Sequence, residues 1–303
     1  MGNELYFEWE PKLMEWLQAH IGSFGVKFMS ACSAFGEETI LIAVMCVLYF
    51  IYDKEAAKFV ARRFMIAGTG LTCIKNAVCR LRPYMVHANV KCLKPVDASA
   101  DLLDIKAQGY SFPSGHSEGS ACIFGGTAVS LKKKWVTIAA IIIVFFVGVS
   151  RFCLGVHYPT DVMCGWAVGI GSVYLFTLME KFIKDRRIIY AIWLVVLAVG
   201  MFYCTTNDYF TNYGMMIGVF AADLFEEKFV KFEKPKNILW GLLRMAGALV
   251  IYYGVNILLK LPFKGLVNGT TPERVFRVCR YAVIMFLAMG VYPMVFKFFH
   301  KKQ

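Results

Sequence analysis

Three short stretches of the sequence place reactive side chains at the ends of apolar runs. KNAVCRLRP carries Lys75 and Arg82, PSGH ends in His116, and SRFCLGVHYPTD runs from Ser150 to Asp161. Cations, imidazoles and a carboxylate are the groups that bind an anion and transfer part of it to a nucleophile. The sequence therefore predicts anion chemistry, provided that the fold brings the three stretches together.

The first stretch supplies two cations. Lys75 and Arg82 are seven residues apart, so two helical turns place both on one face, and Pro83 ends the run. The alternative is that the two long side chains only snorkel from a helix end to the membrane interface.

The second stretch begins an apolar run with Ser114, Gly115 and His116. A helix that starts here offers unpaired backbone N–H groups and the positive end of its dipole, which together bind anions. The alternative is an ordinary helix N-cap followed by an interfacial histidine.

The third stretch contains a histidine one helical turn before an aspartate. Arg151 ends one apolar run, and His157 precedes the helix that Pro159 begins, with Asp161 in its first turn. An aspartate that accepts a hydrogen bond from one ring nitrogen leaves the other nitrogen unprotonated and nucleophilic. The alternative is a capping aspartate beside an unrelated histidine.

The composition indicates the elements that must position these residues. Of 303 residues 58% are hydrophobic and 18% are charged, and the mean hydropathy is +0.55. Charges cluster between apolar stretches of about 15–22 residues, near the length that crosses a bilayer. The fold class is therefore an all-α, polytopic transmembrane helix bundle within a single domain, 1–303.

About nine spans are predicted, or eight if 210–224 is re-entrant or interfacial. The interrupted apolar pattern of residues 11–33 instead indicates an amphipathic helix at the interface, in an N-terminal region 1–37. The predicted spans are 38–52, 60–78, 117–131, 135–153, 162–180, 188–204, 210–224, 239–260 and 279–298.

The charge distribution excludes one class of partner and orients the chain. The formal net charge is +12, but the basic residues lie at span ends and form no stripe that would bind nucleic acid. Each span carries the chain to the opposite side of the membrane, so counting the spans places the three reactive stretches on one side. The short loops on the other side are basic. The positive-inside rule then predicts an extracytoplasmic or lumenal site and a cytoplasmic C-terminal tail, KFFHKKQ. The basic residues of the opposite face are Lys54, Lys58, Arg62, Arg63, Lys132, Lys133, Lys134, Lys181, Lys184, Arg186 and Arg187.

The ten cysteines show no metal-binding spacing, and most lie within apolar runs. Cys79 and Cys92 could pair in an oxidising compartment, although nothing in the sequence requires it. We expect no metal and no other cofactor.

Together the three stretches resemble the signature of the type 2 phosphatidic acid phosphatase (PAP2) superfamily. That signature is Lys, six residues, Arg-Pro; then Pro-Ser-Gly-His; then Ser-Arg, five residues, His, three residues, Asp. Every position matches, from Lys75 to Asp161. The resemblance covers about residues 38–180 and implies a six-helix phosphatase core, with 188–303 as additional transmembrane helices.

The resemblance implies a role for each matching residue. His157 would attack phosphorus and form a phosphohistidine, with Asp161 orienting its ring. His116 would protonate the leaving group and then activate water. The remaining matching residues would hold the phosphoryl oxygens: Lys75, Arg82, Ser114, Gly115 and Arg151.

Several substrates fit such a site. The resemblance favours a lipid phosphate monoester of the phosphatidate, lysophosphatidate, sphingosine 1-phosphate or phosphatidylglycerophosphate type, and the alternative is a polyprenyl diphosphate. Glucose 6-phosphate is disfavoured because nothing marks a sugar site, and the apolar spans exclude the soluble haloperoxidases. A lipid or phosphate transporter that does not hydrolyse is the alternative of another class, and His116, His157 and Asp161 argue against it, because binding alone needs cations only. The oligomeric state stays open.

Overall fold

The computed structural model describes residues 2–296, and the regular secondary structure of those residues is helical, with one isolated β-bridge between Asn3 and Arg80. The all-α fold expected from the sequence is confirmed. Short turns of π- or 3₁₀-helix continue several of the helices. The first helices are α1 Trp9–His20, α2 Gly22–Ala34, α3 Glu38–Val47, α4 Lys54–Val78, α5 Pro83–Val86, α6 Ile105–Gln108 and α7 Gly115–Ser120. The later helices are α8 Gly126–Leu131, α9 Lys134–Cys153, α10 Pro159–Phe182, α11 Arg186–Ala198, α12 Asn207–Phe225, α13 Ile238–Lys260 and α14 Thr271–Met285.

By length and composition, four helices among the described residues could cross a membrane, or five if the bent pair Gly22–Ala34 and Glu38–Tyr52 is one span. That pair bends by 46°. The four are Lys134–Cys153, Pro159–Phe182, Ile238–Phe263 and Thr271–Val295. The total of nine spans stays a prediction, and the predicted cytoplasmic tail, KFFHKKQ, lies outside the described residues together with the end of the predicted span 279–298.

The chain forms two compact units. One contains the residues up to Leu41 together with Gly70–Phe176, and the other contains Ile42–Thr69 together with the residues from Thr177 onward. All eight residues predicted to act on phosphate belong to the first unit.

In the first unit, α9 packs against α1, α2 and the helical run from α7 to α8. Helix α10 approaches α7 closely through two glycines, one turn apart. A Cβ at Gly165 would lie 2.5 Å from the Ser114 carbonyl oxygen, and one at Gly169 would lie 2.5 Å from the Glu118 carbonyl oxygen. Small residues at this spacing let two helix backbones approach in a membrane protein. The approach holds the start of α7 beside the start of α10.

In the second unit, α12 packs against α14, with Gly214 and Gly218 against its backbone. Lys58 and Arg62 of α4 form buried ion pairs with Asp223 at 3.1 and 3.2 Å. Buried charges are stable only when they are paired, so these contacts fix α4 to α12 within the unit.

Candidate active site

The start of α7 carries the PSGH stretch. Ser114 is the N-cap of this helix, and its hydroxyl accepts hydrogen bonds from the Ser117 hydroxyl at 3.0 Å and the Ser117 N–H at 3.4 Å. The Ser114 N–H donates to the carbonyl oxygen of Asp161 at 3.0 Å, which joins the second reactive stretch to the third. A Cβ at Gly115 would meet no heavy atom within 4 Å, so the protein itself does not require glycine there.

His157 lies between α9 and α10 and is buried. Its Nδ1 is 3.4 Å from Asp161 Oδ2, and its Nε2 is 3.5 Å from Arg82 Nη1. A proton on Nδ1, facing the carboxylate, leaves the Nε2 lone pair directed toward the guanidinium. This arrangement suits an attack by Nε2 on an anion that Arg82 binds.

Backbone carbonyl groups hold the cations of the site. Arg82 donates from Nε to the carbonyl oxygens of Gln108 and Gly109, at 2.9 and 3.0 Å, and from Nη1 to that of Val156 at 2.9 Å. Lys75 donates from Nζ to the Tyr110 carbonyl oxygen at 3.1 Å. Because these acceptors are uncharged, both side chains keep a positive charge for an anionic ligand.

Arg151 at the end of α9 is buried. Its Nη1 donates to the hydroxyl of Ser33 in α2, and its Nε has no hydrogen-bond partner among the described residues. A buried donor without a partner is costly unless a ligand satisfies it. Arg151 therefore has a buried donor that could bind an anion.

The charges of the site act on both histidines. Burial, and then the positive charges of Arg82 and Arg151, hold the pKa of His157 well below its ordinary value. Burial, and then the charges of Arg151 and His157, lower the pKa of His116 in the same way. A bound anion would oppose these cations and raise the pKa of each imidazole. The structure thus brings all three stretches into one electrostatic site.

Four residues that the sequence interpretation did not assign also belong to this environment. The Ser111 hydroxyl donates to Asp161 Oδ2, and Ser33 accepts from Arg151. Arg80 pairs with Asp161, and Glu10 pairs with Arg80. Ser111 lies two residues before Pro113, the first residue of the PSGH stretch. Glu10 and Ser33 lie far from that stretch in sequence and belong to no motif. Cys79 and Cys92, the candidate disulfide pair, are free thiols.

Comparison with known proteins gives the family. Residues 39–185 match the PAP2 superfamily, and residues 210–303 match the transmembrane extension of PAP2 superfamily phosphatases. The chain is 31% identical over 153 residues to the undecaprenyl-diphosphatase of Sulfolobus acidocaldarius, a match that covers 49% of this chain and 68% of that protein. The chain therefore belongs to the PAP2 superfamily and is an integral membrane protein, as the three stretches and the apolar helices predict.

Two further matches come from Bacillus subtilis. The chain is 39% identical over 87 residues to phosphatidylglycerophosphatase B, a match that covers 26% of this chain and only 43% of that protein. A crystal structure of a transmembrane PAP2-type phosphatidylglycerolphosphate phosphatase aligns with a TM-score of 0.43 at 22% identity, covering 57% of this chain and 87% of that one.

Proposed function

We propose that the chain hydrolyses a lipid phosphate monoester without a metal, through a phosphohistidine at His157. The observation that carries the proposal is the placement of this imidazole, with Nδ1 3.4 Å from Asp161 Oδ2 and Nε2 3.5 Å from Arg82 Nη1. An oriented, neutral imidazole facing fixed cations has the properties of a nucleophile for a bound phosphate.

The reaction has two steps. His157 Nε2 attacks phosphorus, the bond from phosphorus to the lipid oxygen breaks, and His116 gives its proton to that departing oxygen. His116 then takes a proton from water, whose oxygen attacks phosphorus while the P–N bond breaks. Phosphate leaves, and His157 is again neutral. In both steps Lys75, Arg82, Ser114, Gly115 and Arg151 hold the phosphoryl oxygens and the charge that develops on them.

The relatives support a lipid phosphate as substrate, since one is named a phosphatidylglycerophosphatase and another an undecaprenyl-diphosphatase. Phosphatidate, lysophosphatidate, sphingosine 1-phosphate and phosphatidylglycerophosphate are the proposed monoesters. A polyprenyl diphosphate is the second candidate, favoured by the relative from Sulfolobus acidocaldarius.

Phosphate release by detergent-purified protein in excess EDTA tests the proposed function. A panel of the four monoesters and a polyprenyl diphosphate ranks the substrates, and glucose 6-phosphate tests a soluble ester. Release that survives EDTA supports the proposal. Binding of a lipid phosphate without release would favour the non-hydrolytic transporter instead, and release that EDTA abolishes would contradict the metal-independent mechanism.

The pH dependence of the rate follows from the two imidazoles. The lowered pKa of His157 keeps it neutral below its ordinary pKa of 6.5, so the acid limb of kcat/KM is expected below that pH. Because the pKa of His116 is lowered, this imidazole loses its proton at a lower pH than an ordinary histidine when no phosphate is bound. Bound phosphate raises the pKa again. The basic limb of kcat is therefore expected at higher pH than the basic limb of kcat/KM. Rates that are flat from about pH 5 to about pH 9, with chemistry rate-limiting, would contradict these assignments.

We further propose that the site faces the outside or a lumen, on the basis of the positive-inside rule. Leu103→Cys, in the loop 79–116 and 65% exposed, is expected to react with a membrane-impermeant maleimide in intact cells. Lys133→Cys, in the loop after α8, is expected to react only after permeabilisation. Mass spectrometry of the labelled peptides separates both sites from the native cysteines, and the reverse pattern would invert the topology.

A further inference from the structure

We propose that Glu10 and Arg80 are positioning residues of the reaction: Glu10 of α1 holds Arg80, and Arg80 fixes the Asp161 carboxylate that orients His157. The proposal rests on the proposed phosphohistidine function. Neither residue is a defined position of the matching motifs: Arg80 is one of the six unspecified residues between Lys75 and Arg82, and Glu10 lies before residues 39–185, which match the family.

Arg80 bridges two carboxylates inside the first unit. Its Nη1 donates to Asp161 Oδ1 at 2.7 Å, and its Nη2 donates to Glu10 Oε2 at 2.8 Å. Its guanidinium carbon lies 3.9 Å from the centroid of the Tyr158 ring, and its side chain is 5% exposed. Contacts with Asp161, Glu10 and the Tyr158 ring hold the planar guanidinium in one orientation. The position of the Asp161 carboxylate therefore depends on Glu10 through Arg80.

Glu10 is itself fixed by several donors. Its Oε2 also accepts from the Phe7 N–H at 2.9 Å, and its Oε1 accepts from the Thr160 N–H at 3.0 Å and the Thr160 hydroxyl at 2.6 Å. The side chain is fully buried. Thr160 directly precedes Asp161, and its hydroxyl also accepts from Arg80 Nη1 at 2.8 Å. Glu10 therefore holds both the backbone before Asp161 and the cation on its side chain.

The contact with Arg80 decides which carboxylate oxygen of Asp161 faces the nucleophile. Arg80 occupies Oδ1, while Oδ2 accepts from the Tyr158 N–H at 2.8 Å and the Ser111 hydroxyl and lies 3.4 Å from His157 Nδ1. Because both oxygens have partners, the carboxylate cannot rotate without breaking a buried charged pair. The orientation of the His157 imidazole is thus fixed by a series of contacts from Glu10 through Arg80 to Asp161.

Backbone hydrogen bonds hold the N-terminal segment next to Arg80. The Asn3 N–H donates to the Cys79 carbonyl oxygen, and the Leu81 N–H donates to the Asn3 carbonyl oxygen, both at 2.9 Å. These bonds flank Arg80 on both sides in the sequence. A buried pair of this kind can also serve stability alone, so the test needs a readout that stability does not move.

Glu10→Gln and Arg80→Gln supply that readout, because they remove charges of opposite sign. Each variant is expected to lower kcat by about ten- to a hundredfold with little change in KM, since the imidazole loses its orientation while the phosphate-binding cations stay. From the sign of the charge removed, Arg80→Gln is expected to raise the pKa of His157 and to move the acid limb of kcat/KM to higher pH. Removing the Glu10 anion moves that limb to lower pH. The other charged or titratable groups acting on His157 are unchanged in both variants: Lys75, Arg82, His116, Arg151 and Asp161.

Glu8→Gln is the matched control, because Glu8 lies two residues away with a side chain 88% exposed. It is expected to match the unchanged protein in kcat and in pH profile. If Arg80→Gln fails to fold, Arg80→Lys keeps the charge and is expected to leave the acid limb in place while kcat falls, because one ammonium does not reproduce the guanidinium fork.

An unchanged kcat in Glu10→Gln, or equal losses without opposite shifts of the acid limb, would overturn the proposal and leave a structural ion pair. Full activity in His157→Ala would instead overturn the proposed function. The two failures are therefore distinguishable.

Discussion

Replacing His157 by alanine is expected to reduce phosphate release by at least about 10⁴-fold, because the variant has no nucleophile to accept the phosphoryl group. Nε2 of His157 is the ring nitrogen that lies 3.5 Å from Arg82 Nη1. Initial rates with a lipid phosphate above its KM, in detergent micelles and excess EDTA, give the measurement.

His20→Ala is the control for this substitution, since His20 lies at the exposed end of α1. It is expected to release phosphate at the rate of the unchanged protein. The rate of phosphate release by Asp161→Asn is expected to lie between those of His157→Ala and His20→Ala. The loss is expected to reach up to about 10⁴-fold, since the amide no longer fixes the ring tautomer of His157. A His157→Ala protein that folds and retains a tenth of the activity would place the nucleophile elsewhere.

Replacing Arg151 by alanine is expected to lower kcat/KM by about 10²–10³-fold, or about 3–4 kcal/mol of transition-state stabilisation. The residue is 2% exposed, and its Nε has no partner among the described residues. In the proposed mechanism its charge would face a phosphoryl group in buried surroundings, where a charge interaction is stronger than in water. Steady-state kinetics over a range of surface concentrations of the lipid separates kcat from KM.

Arg151→Lys is expected to recover part of this loss, because the ammonium keeps the charge but not the two-pronged geometry. Arg187→Ala is the control, since Arg187 lies at the start of α11 with a side chain 77% exposed. Arg151→Ala kinetics equal to those of the control would show that this cation does not touch the phosphate.

Part of the geometry of the candidate site could be predicted from the sequence, because its residues carry fixed local spacing. His157 and Asp161 are one helical turn apart, and the structure places their side chains 3.4 Å apart. Glu10 and Ser33 could not be predicted, because their partners Arg80 and Arg151 lie 70 and 118 positions away. An acidic residue and a serine in an amphipathic N-terminal segment look like solvated or capping groups until the tertiary fold shows their partners.

The sequence predicted the positions of helices better than it predicted which of their side chains are buried. The run predicted as the span 60–78 lies within α4, which begins at Lys54. Lys58 and Arg62 of that helix were counted as loop charges that orient the chain, yet they are buried against Asp223. Hydropathy and charge counts treat each segment alone, so they cannot show that acids from a distant helix pair with these cations.

The most direct test of the central claim is to detect the covalent intermediate. Purified protein is mixed with a lipid phosphate carrying radioactive phosphorus in excess EDTA, quenched in alkali within one turnover, and digested for mass spectrometry. We predict a phosphoryl group on His157 that is stable in alkali and lost in acid. In His116→Ala both its formation and its hydrolysis are expected to slow, because His116 protonates the leaving group and activates water. Phosphate release in EDTA with no phosphoryl group on His157 in either protein would show that the reaction does not pass through a phosphohistidine at this residue.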